Sequence, residues 1–543
     1  MAVYLDSWAI EAQFTSGVWT DITTDVITVA DSIKKEGGIS DNGPTDRVAS
    51  TGRMTFSLNN GASNSAGVAG YYSPGGTHCR AGFTTGIPVR ARFTFEGYTR
   101  TKFYGRIAPN GIKAAPGIYG SRRTEVTVLD WMNQAATHEL NLPAYTTNKR
   151  IDEVVPLIVA NMPLAPLSTD YKVGEDTFVS VFDTVSNKTR AMSEFSKLAL
   201  SEWGYVYLKH TQASDEVLTV EGRYEKTNNS SLAQVPNCID GFLLKEDGGY
   251  LLKEDGGRIA LDSAGSADFT DISRDSQFSF GKHLANDISV TSYPRKMGTA
   301  AEVLFTLQSP IELAAGGSVT DIIGQYRDPS GGAWRVASKG MITPVATTDY
   351  QMWSTSAGTG VDLTANLTVT PTYAANEVSY VLVSAAIQTA YVTTLQARGT
   401  GIYLYDAVEY VQDDDASKLD HGTQPLSISM PYQDDTELAQ FIGVGELANL
   451  KNPRLELDKW VFYANRNGFL MNAFLQVEVG DRAHFYEEQV GFDKDRWIDA
   501  VEWELIQGRA LKVGWKTRDA SAYGYWQLEV VGFSELGETT MLG

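Results

Sequence analysis

A four-residue signature occurs twice in this chain, about 390 residues apart, and it limits the possible folds more than any other feature. The first copy is Arg90-Ala91-Arg92-Phe93 and the second is Arg482-Ala483-His484-Phe485. After each copy come an acidic and aromatic stretch, an aromatic-led strand (103–107; 497–501) and an alternating strand (124–129; 510–515). Two readings fit this pattern: one β-barrel used twice, or two unrelated barrel-forming β-regions. In the first reading, three copies of the chain place six like units around one axis.

The rest of the chain supplies enough material for several cores. At 543 residues it exceeds the size of a single hydrophobic core, so about three to five domains are expected. The formal net charge of -21 argues against tight binding to nucleic acid or anionic membrane through a basic surface, while a lumen through which DNA merely passes stays compatible. Two cysteines, Cys79 and Cys238, exclude a disulfide framework and a Cys-based metal site. The start Met1-Ala2-Val3-Tyr4-Leu5-Asp6 lacks the basic and apolar regions of a signal peptide, and no run of about 18 apolar residues occurs. The expectation is a soluble protein made in the cytoplasm.

Pattern changes divide the chain. Alternating strands and Gly/Ser/Asn-rich loops give a first β-barrel over 1–145. Residues 146–235 turn helical and then β: Ile151, Val154, Val155, Ile158 and Val159 form one apolar face, and a helix over 189–203 stops at Gly204 before a strand at 205–208. This is an α+β domain whose apolar stripe reads as core. Residues 236–270 hold an octapeptide that occurs twice in tandem, at 242–249 and 250–257, with Phe242 replaced by Tyr250 and the other seven residues identical, each unit a short apolar strand followed by an Asp-Gly-Gly turn. They predict a tandem β-hairpin ribbon.

Its charged residues Lys245, Glu246, Asp247, Lys253, Glu254 and Asp255 fit solvated turns, a partner-contact ribbon or calcium loops, although each repeat offers fewer oxygens than a calcium loop needs. Connecting strands follow at 271–300. Residues 301–404 are rich in Thr, Val, Ala and Gly, with strand candidates at 303–307, 332–337, 363–369, 378–384 and 390–395, and an inserted immunoglobulin-like β-sandwich fits them. A second α+β domain over 405–455 carries a helix at 437–447, capped by the acidic run before Thr436. The second barrel covers 456–520, and 521–543 make a C-terminal strand and tail. The fold class expected is therefore mainly β with α+β modules, two similar β-barrels and an inserted sandwich.

Catalytic vocabulary is sparse. The six histidines never fall at metal-ligand spacing, and no nucleophile elbow, phosphate loop or dinucleotide fingerprint occurs. Asp413-Asp414-Asp415 and Asp493-Lys494-Asp495 read as solvated carboxylates before they read as calcium ligands. No enzyme, cofactor or metal is expected, although a carboxylate pair for glycoside hydrolysis can hide among 66 acids.

Several segments together resemble one family. Trp19-Thr20-Asp21-Ile22-Thr23 followed by Gly38-Ile39, the loop 44–49 and the strand 52–59 look like the opening of tail-tip proteins of long-tailed bacteriophages. Residues 195–223, with Leu200-Ser201-Glu202-Trp203-Gly204-Tyr205-Val206-Tyr207, resemble the helix and hairpin of the baseplate hub proteins in that group. So do residues 438–481, with a helix, Lys451-Asn452-Pro453 and Val479-Gly480-Asp481. The order of these segments carries the resemblance.

It implies a virion protein: a homotrimeric hub whose two barrels per subunit form a pseudo-six-fold ring on the hexameric tail tube. Four partners are implied. They are a tail-tube or distal tail protein ring, the C-terminus of the tape-measure protein, a central tip or fibre protein, and DNA in transit. Under this resemblance the paired barrel strands hold Arg90, Arg92, Phe93, Arg482, His484 and Phe485. The sequence departs from many members of that family by ending at Gly543 with no long fibre, peptidase or cell-wall hydrolase domain, which puts receptor binding or murein cleavage by this chain itself in doubt. A β-modular protein that binds or cleaves carbohydrate at a cell surface is the alternative.

Overall fold

The computed structural model describes residues 3–29, 31–115, 122–140, 146–183, 189–228, 232–236, 264–266, 268–270, 273, 275–326 and 334–520. The tandem ribbon, with Lys245, Glu246, Asp247, Lys253, Glu254 and Asp255, lies outside the described residues, as do Cys238 and the expected tail at 521–543.

The described chain is mainly β, with α+β modules. Strands from both ends of the sequence join in one 14-stranded sheet. Alternation drives its first part: in Pro88–Phe95, Val89, Ala91, Phe93 and Phe95 are buried while the residues between them are partly exposed. Going outward, Ser50–Asn59, Arg123–Leu129, Tyr98–Ala115 and Pro88–Phe95 are neighbours, and every pair is antiparallel. The second part has the same order and sense: Leu455–Tyr463, Ala510–Asp519, Phe492–Ile506 and Arg482–Glu487.

The two parts are not separate closed barrels. Ile33–Gly38 pairs on one side with Ser50–Asn59 and on the other with Phe492–Ile506, so it welds them into one sheet. Among the described residues the path ends at two open edges, Gln277–Phe280 and Val18–Asp21. The weld needs glycine: Gly38 has φ +125°, and a Cβ there would lie 2.5 Å from the Ala500 Cα. Phe492–Ile506 supports two partners on one edge because of its length, its first half taking Arg482–Glu487 and its second half Ile33–Gly38.

One α+β module packs on this sheet, and a second packs against the first. The first has helices Ile151–Ala160 and Ala191–Glu202 and a three-stranded sheet whose central strand, Val217–Glu221, pairs antiparallel with Tyr205–Lys209 and parallel with Ser168–Tyr171. Its helical stripe of Ile151, Val154, Val155 and Ile158 is fully buried in the same core as both parts of the large sheet. The second module sets Asp287–Ser292 between Val408–Asp413 and Pro425–Met430 and covers that sheet with helix Thr436–Leu450. This helix is a turn longer than expected, and Asp435 caps it by accepting hydrogen bonds from the Glu437 and Leu438 amides.

Between those two strands the chain leaves at Ser292 and returns at its ladder partner Val408. The intervening residues form a two-sheet sandwich around their own core, which includes Leu304, Leu313, Met352, Tyr380 and Val392. Arg295–Thr306, Trp334–Lys339, Leu367–Tyr373, Glu377–Ser384 and Ala390–Leu404 overlap the five expected strand regions, although the one expected at 363–369 opens as a 3-10 turn over Thr364–Asn366 and becomes strand only at Leu367. Ile311–Leu313, Ser318–Gln325 and Tyr350–Trp353 complete the sandwich.

Candidate functional site

The two signature strands occupy corresponding places in their sheets but face different neighbours. In the first, Arg90 reaches Glu11 on the adjacent strand and Asp215 of the first α+β module, each at 2.6 Å, and its guanidinium lies 4.1 Å over the Trp19 ring. Arg92 adds a looser contact to Glu11 at 3.7 Å. Phe93 stands edge-on to Phe474 and Trp503, which belong to the C-terminal part of the chain. In the second, Arg482 and His484 converge on Asp495 across their own hairpin at 2.6 and 2.7 Å, and His484 also meets Asp493 at 3.0 Å. Phe485 packs with Phe269, Trp460 and Trp515. The structure thus joins Arg90 with Arg92 and Arg482 with His484, and it does not bring the two groups into one site.

What joins the regions is a buried cluster where the first sheet part, the first α+β module and the C-terminal part meet. Helix Gly468–Gln476, lying within the segment expected to form the second barrel, ends against the large sheet and delivers the loop Glu478-Val479-Gly480-Asp481. Its apolar run buries Leu470, Met471, Ala473, Phe474 and Leu475. Lys102, only 1% exposed on strand Tyr98–Ala115, ion-pairs with Glu478 and donates to the Val477 carbonyl at 3.3 Å. His210, just after strand Tyr205–Lys209, holds the other Glu478 oxygen at 3.4 Å. Lys35 donates to the Val501 carbonyl at 2.5 Å on the weld itself.

The electrostatics follow from burial and from these partners. Desolvation pushes the Glu478 carboxyl up, but Lys102 and His210 overcome it and draw the group down to about 2. Burial raises Asp481 to about 6, with the neighbouring Glu478 charge adding to the shift although the Glu478 amide donates to it at 2.9 Å. Burial lowers Lys35 to about 8 and also lowers His210. Gly480 permits the loop: at φ +92°, a Cβ would fall 2.0 Å from the Tyr207 hydroxyl, which donates to Glu221 at 2.6 Å. A second buried ion pair, Arg295 with Asp183 at 2.6 Å, ties the root of the sandwich to the first α+β module.

This arrangement couples modules mechanically through charge. It carries no nucleophile–base pair, and among the described residues no group of three or more His, Cys, Asp or Glu could hold a metal. The acidic runs find protein partners: Asp414 caps helix Asp415–His421 and pairs with Lys451 at 3.0 Å, while Asp493 and Asp495 hold His484. The joining residues gave one faint signal in the sequence, a lysine at position 102 directly before the apolar Phe103-Tyr104. Its partner lies 376 positions away, and no local pattern points to it.

No protein-family model matches the sequence, and no curated protein matches it. Among solved structures, the fold is similar to the 43 kDa tail protein of prophage MuSo2 from Shewanella oneidensis, at 9% identity and a TM-score of 0.44, covering 95% of this chain and 99% of that one. It is also similar to the tail protein from Neisseria meningitidis MC58, at 8% identity and a TM-score of 0.44, with 95% and 98% covered. Prophage tail protein gp18 from Listeria monocytogenes EGD-e is similar at 9% identity and a TM-score of 0.38, with 94% of each chain covered. At these scores the likenesses carry no argument about the role of this chain.

Proposed function

We propose that this chain is a structural subunit of a phage tail, the homotrimeric hub at the distal end that joins the tail tube to the tip, closes the lumen and opens it for DNA ejection. The observation that carries the reading is the pair of four-stranded units with one strand order and one sense, fused through Ile33–Gly38 inside a single subunit. Three copies then offer six like units to a six-fold tube, which is how a trimer meets a hexamer without a symmetry mismatch. The segments that resemble hub proteins in sequence fall in the same three regions that the buried Lys102–Glu478–His210 cluster ties together.

In this reading the tube or distal tail ring seats on the ring of sheets, and the tape-measure C-terminus and the central tip or fibre sit on its axis. The net charge of -21 suits a lumen that DNA crosses without being held. Opening requires the modules to move, and the contacts that must then change are the buried ion pairs between them, since packed interfaces switch between discrete arrangements. The immunoglobulin-like identity of the sandwich belongs to the same reading.

The test is the mass of the purified chain by light scattering behind a sizing column. A stable species near three times 59.3 kDa is expected. A monomer at every concentration, which also fails to trimerise on purified tail tubes, would overturn the hub.

A further inference from the structure

The two four-stranded units agree down to single backbone bonds. In the first, the Gly86 amide donates to the Ile107 carbonyl at 2.8 Å and the Ile107 amide to the Ile87 carbonyl at 3.1 Å. In the second, Gly480 donates to Ile498 and Ile498 to Asp481, both at 2.8 Å. Ile107 of strand Tyr98–Ala115 therefore corresponds to Ile498 of strand Phe492–Ile506. Beyond Ile498 the outer edge of the second strand is taken by Ile33–Gly38, the weld. Beyond Ile107 the same edge of the first strand pairs with no other strand among the described residues, and Pro109, Asn110, Lys113, Ala114 and Ala115 are exposed there. The weld strand has a counterpart as well. Ile33–Gly38 lies antiparallel on Ser50–Asn59, and Gln277–Phe280 lies antiparallel on Leu455–Tyr463, but its far edge is open and Phe280 is 73% exposed. An unpaired strand edge is a template for another strand.

We propose that a second copy of this chain supplies the missing pairing: Gln277–Phe280 of one subunit adds, antiparallel, to residues 108–115 of the next and repeats the weld between subunits. The inference rests on the hub reading and deepens it by naming the interface. The contact is head-to-tail, because it joins two different edges, and such contacts make a ring only when the rotation closes. In the hub reading every weld turns one unit onto the next by the same angle, so internal and intermolecular welds alternate until the ring is complete. At the weld Gly38 stands opposite Ala500, two residues past Ile498. Phe280 holds the place of Gly38 on its own sheet part and so meets residues 108–110, just past Ile107. Ala108 and Pro109 line a cavity of about 450 Å³ whose wall also includes Trp131 and Leu164. The phenyl ring finds there the room that Ala500 denies at the weld, where a Cβ on Gly38 would lie 2.5 Å from the Ala500 Cα. A buried aromatic anchor of this kind carries a large share of the binding energy of an interface.

The experiment is disulfide trapping in the full chain, with Cys79→Ser and Cys238→Ser as background. Phe280→Cys is combined in turn with Ala108→Cys, Pro109→Cys and Asn110→Cys, the assembled protein is oxidised, and covalent species are resolved on a non-reducing gel. At least one pair is expected to give covalent dimers and trimers, and each single substitution to give only monomers. Light scattering on the same samples separates this inference from the hub reading. Trimers in which no pair crosslinks overturn the interface and leave the hub standing, whereas a chain that stays monomeric alone and on tail tubes overturns both. Covalent dimers from Phe280→Cys alone also overturn the interface, because they join like edges. Phe280→Ala gives a second readout. The ring is exposed in the free subunit, so the melting temperature of the dilute monomer is expected to stay unchanged while the concentration for half-assembly rises about 10-fold or more. Assembly that Phe280→Ala leaves unchanged overturns the proposal as well.

Discussion

The two signature hairpins carry the same kind of buried cation and spend it differently. In the first, Lys102 lies beside the Ala91↔Phe103 ladder pair and reaches out of its own sheet part to Glu478 of the C-terminal region. In the second, Arg496 is itself the ladder partner of Ala483 and pairs with Glu456, two strands away in the same part of the sheet, at 2.8 Å. Both cations are 1% exposed or less. A buried ion pair contributes little net stability over apolar packing, yet removing one partner strands the other charge. The lesson is that like strands need not do like work: the first hairpin couples modules, and the second holds itself together.

The largest test breaks that contrast directly. Lys102→Met leaves Glu478 buried without its main counter-charge and is expected to lose about 3–5 kcal/mol, whereas Arg496→Met leaves Glu456 still paired with Arg454 and is expected to lose less. Calorimetry separates them. Lys102→Met is expected to split the unfolding endotherm, because the contact between regions is the one lost, whereas Arg496→Met lowers the whole transition without splitting it. Splitting in Arg496→Met, or a single unshifted transition in Lys102→Met, breaks the comparison.

A smaller effect sharpens it at the signature residues. Arg90 bridges two carboxylates on different modules and covers Trp19, so Arg90→Ala is expected to cost about 2 kcal/mol and to loosen the α+β module. Arg482 meets Asp495 within its own hairpin and is more exposed, so Arg482→Ala is expected to cost about 1 kcal/mol or less. Urea midpoints measure both, and limited proteolysis near Asp215 reports the loosening. Equal costs with equal proteolysis would remove the asymmetry.

Much of this frame was legible because it is local. Period-two alternation located Pro88–Phe95 and Ser50–Asn59, and the acidic run before Thr436 located a helix start that Asp435 caps. The match between Arg90-Ala91-Arg92-Phe93 and Arg482-Ala483-His484-Phe485 fell on strands of equivalent order. Three things were not legible. Helix Gly468–Gln476 is apolar on most sides because it is buried on most sides, so it shows little amphipathic period. The weld at Gly38 depends on a strand about 460 positions later, and glycine pairs in a sequence usually mark turns. The cluster of Lys102, His210 and Glu478 draws one residue from each of three regions, which no window along the chain can see.

The subtlest test is the pH dependence of the coupling loop, where two neighbouring acids shift in opposite directions. Glu478 is drawn down to about 2, below its unfolded value near 4.3, so its contribution is complete above that value and is lost as pH falls toward 2. Asp481 is lifted to about 6, above an unfolded value near 3.9, so the folded state holds the extra proton between these values. Its contribution is therefore present below about pH 4 and is lost as pH rises through 6. Asp481→Asn keeps an acceptor for the Glu478 amide but cannot ionise. Its melting temperature relative to wild type is expected to rise between pH 4 and 6.5, by a few degrees at most, and to stay flat below pH 4. A difference that does not change over this range would mean that Asp481 is solvated, and that the loop is not the closed joint between regions that separates the first hairpin from the second.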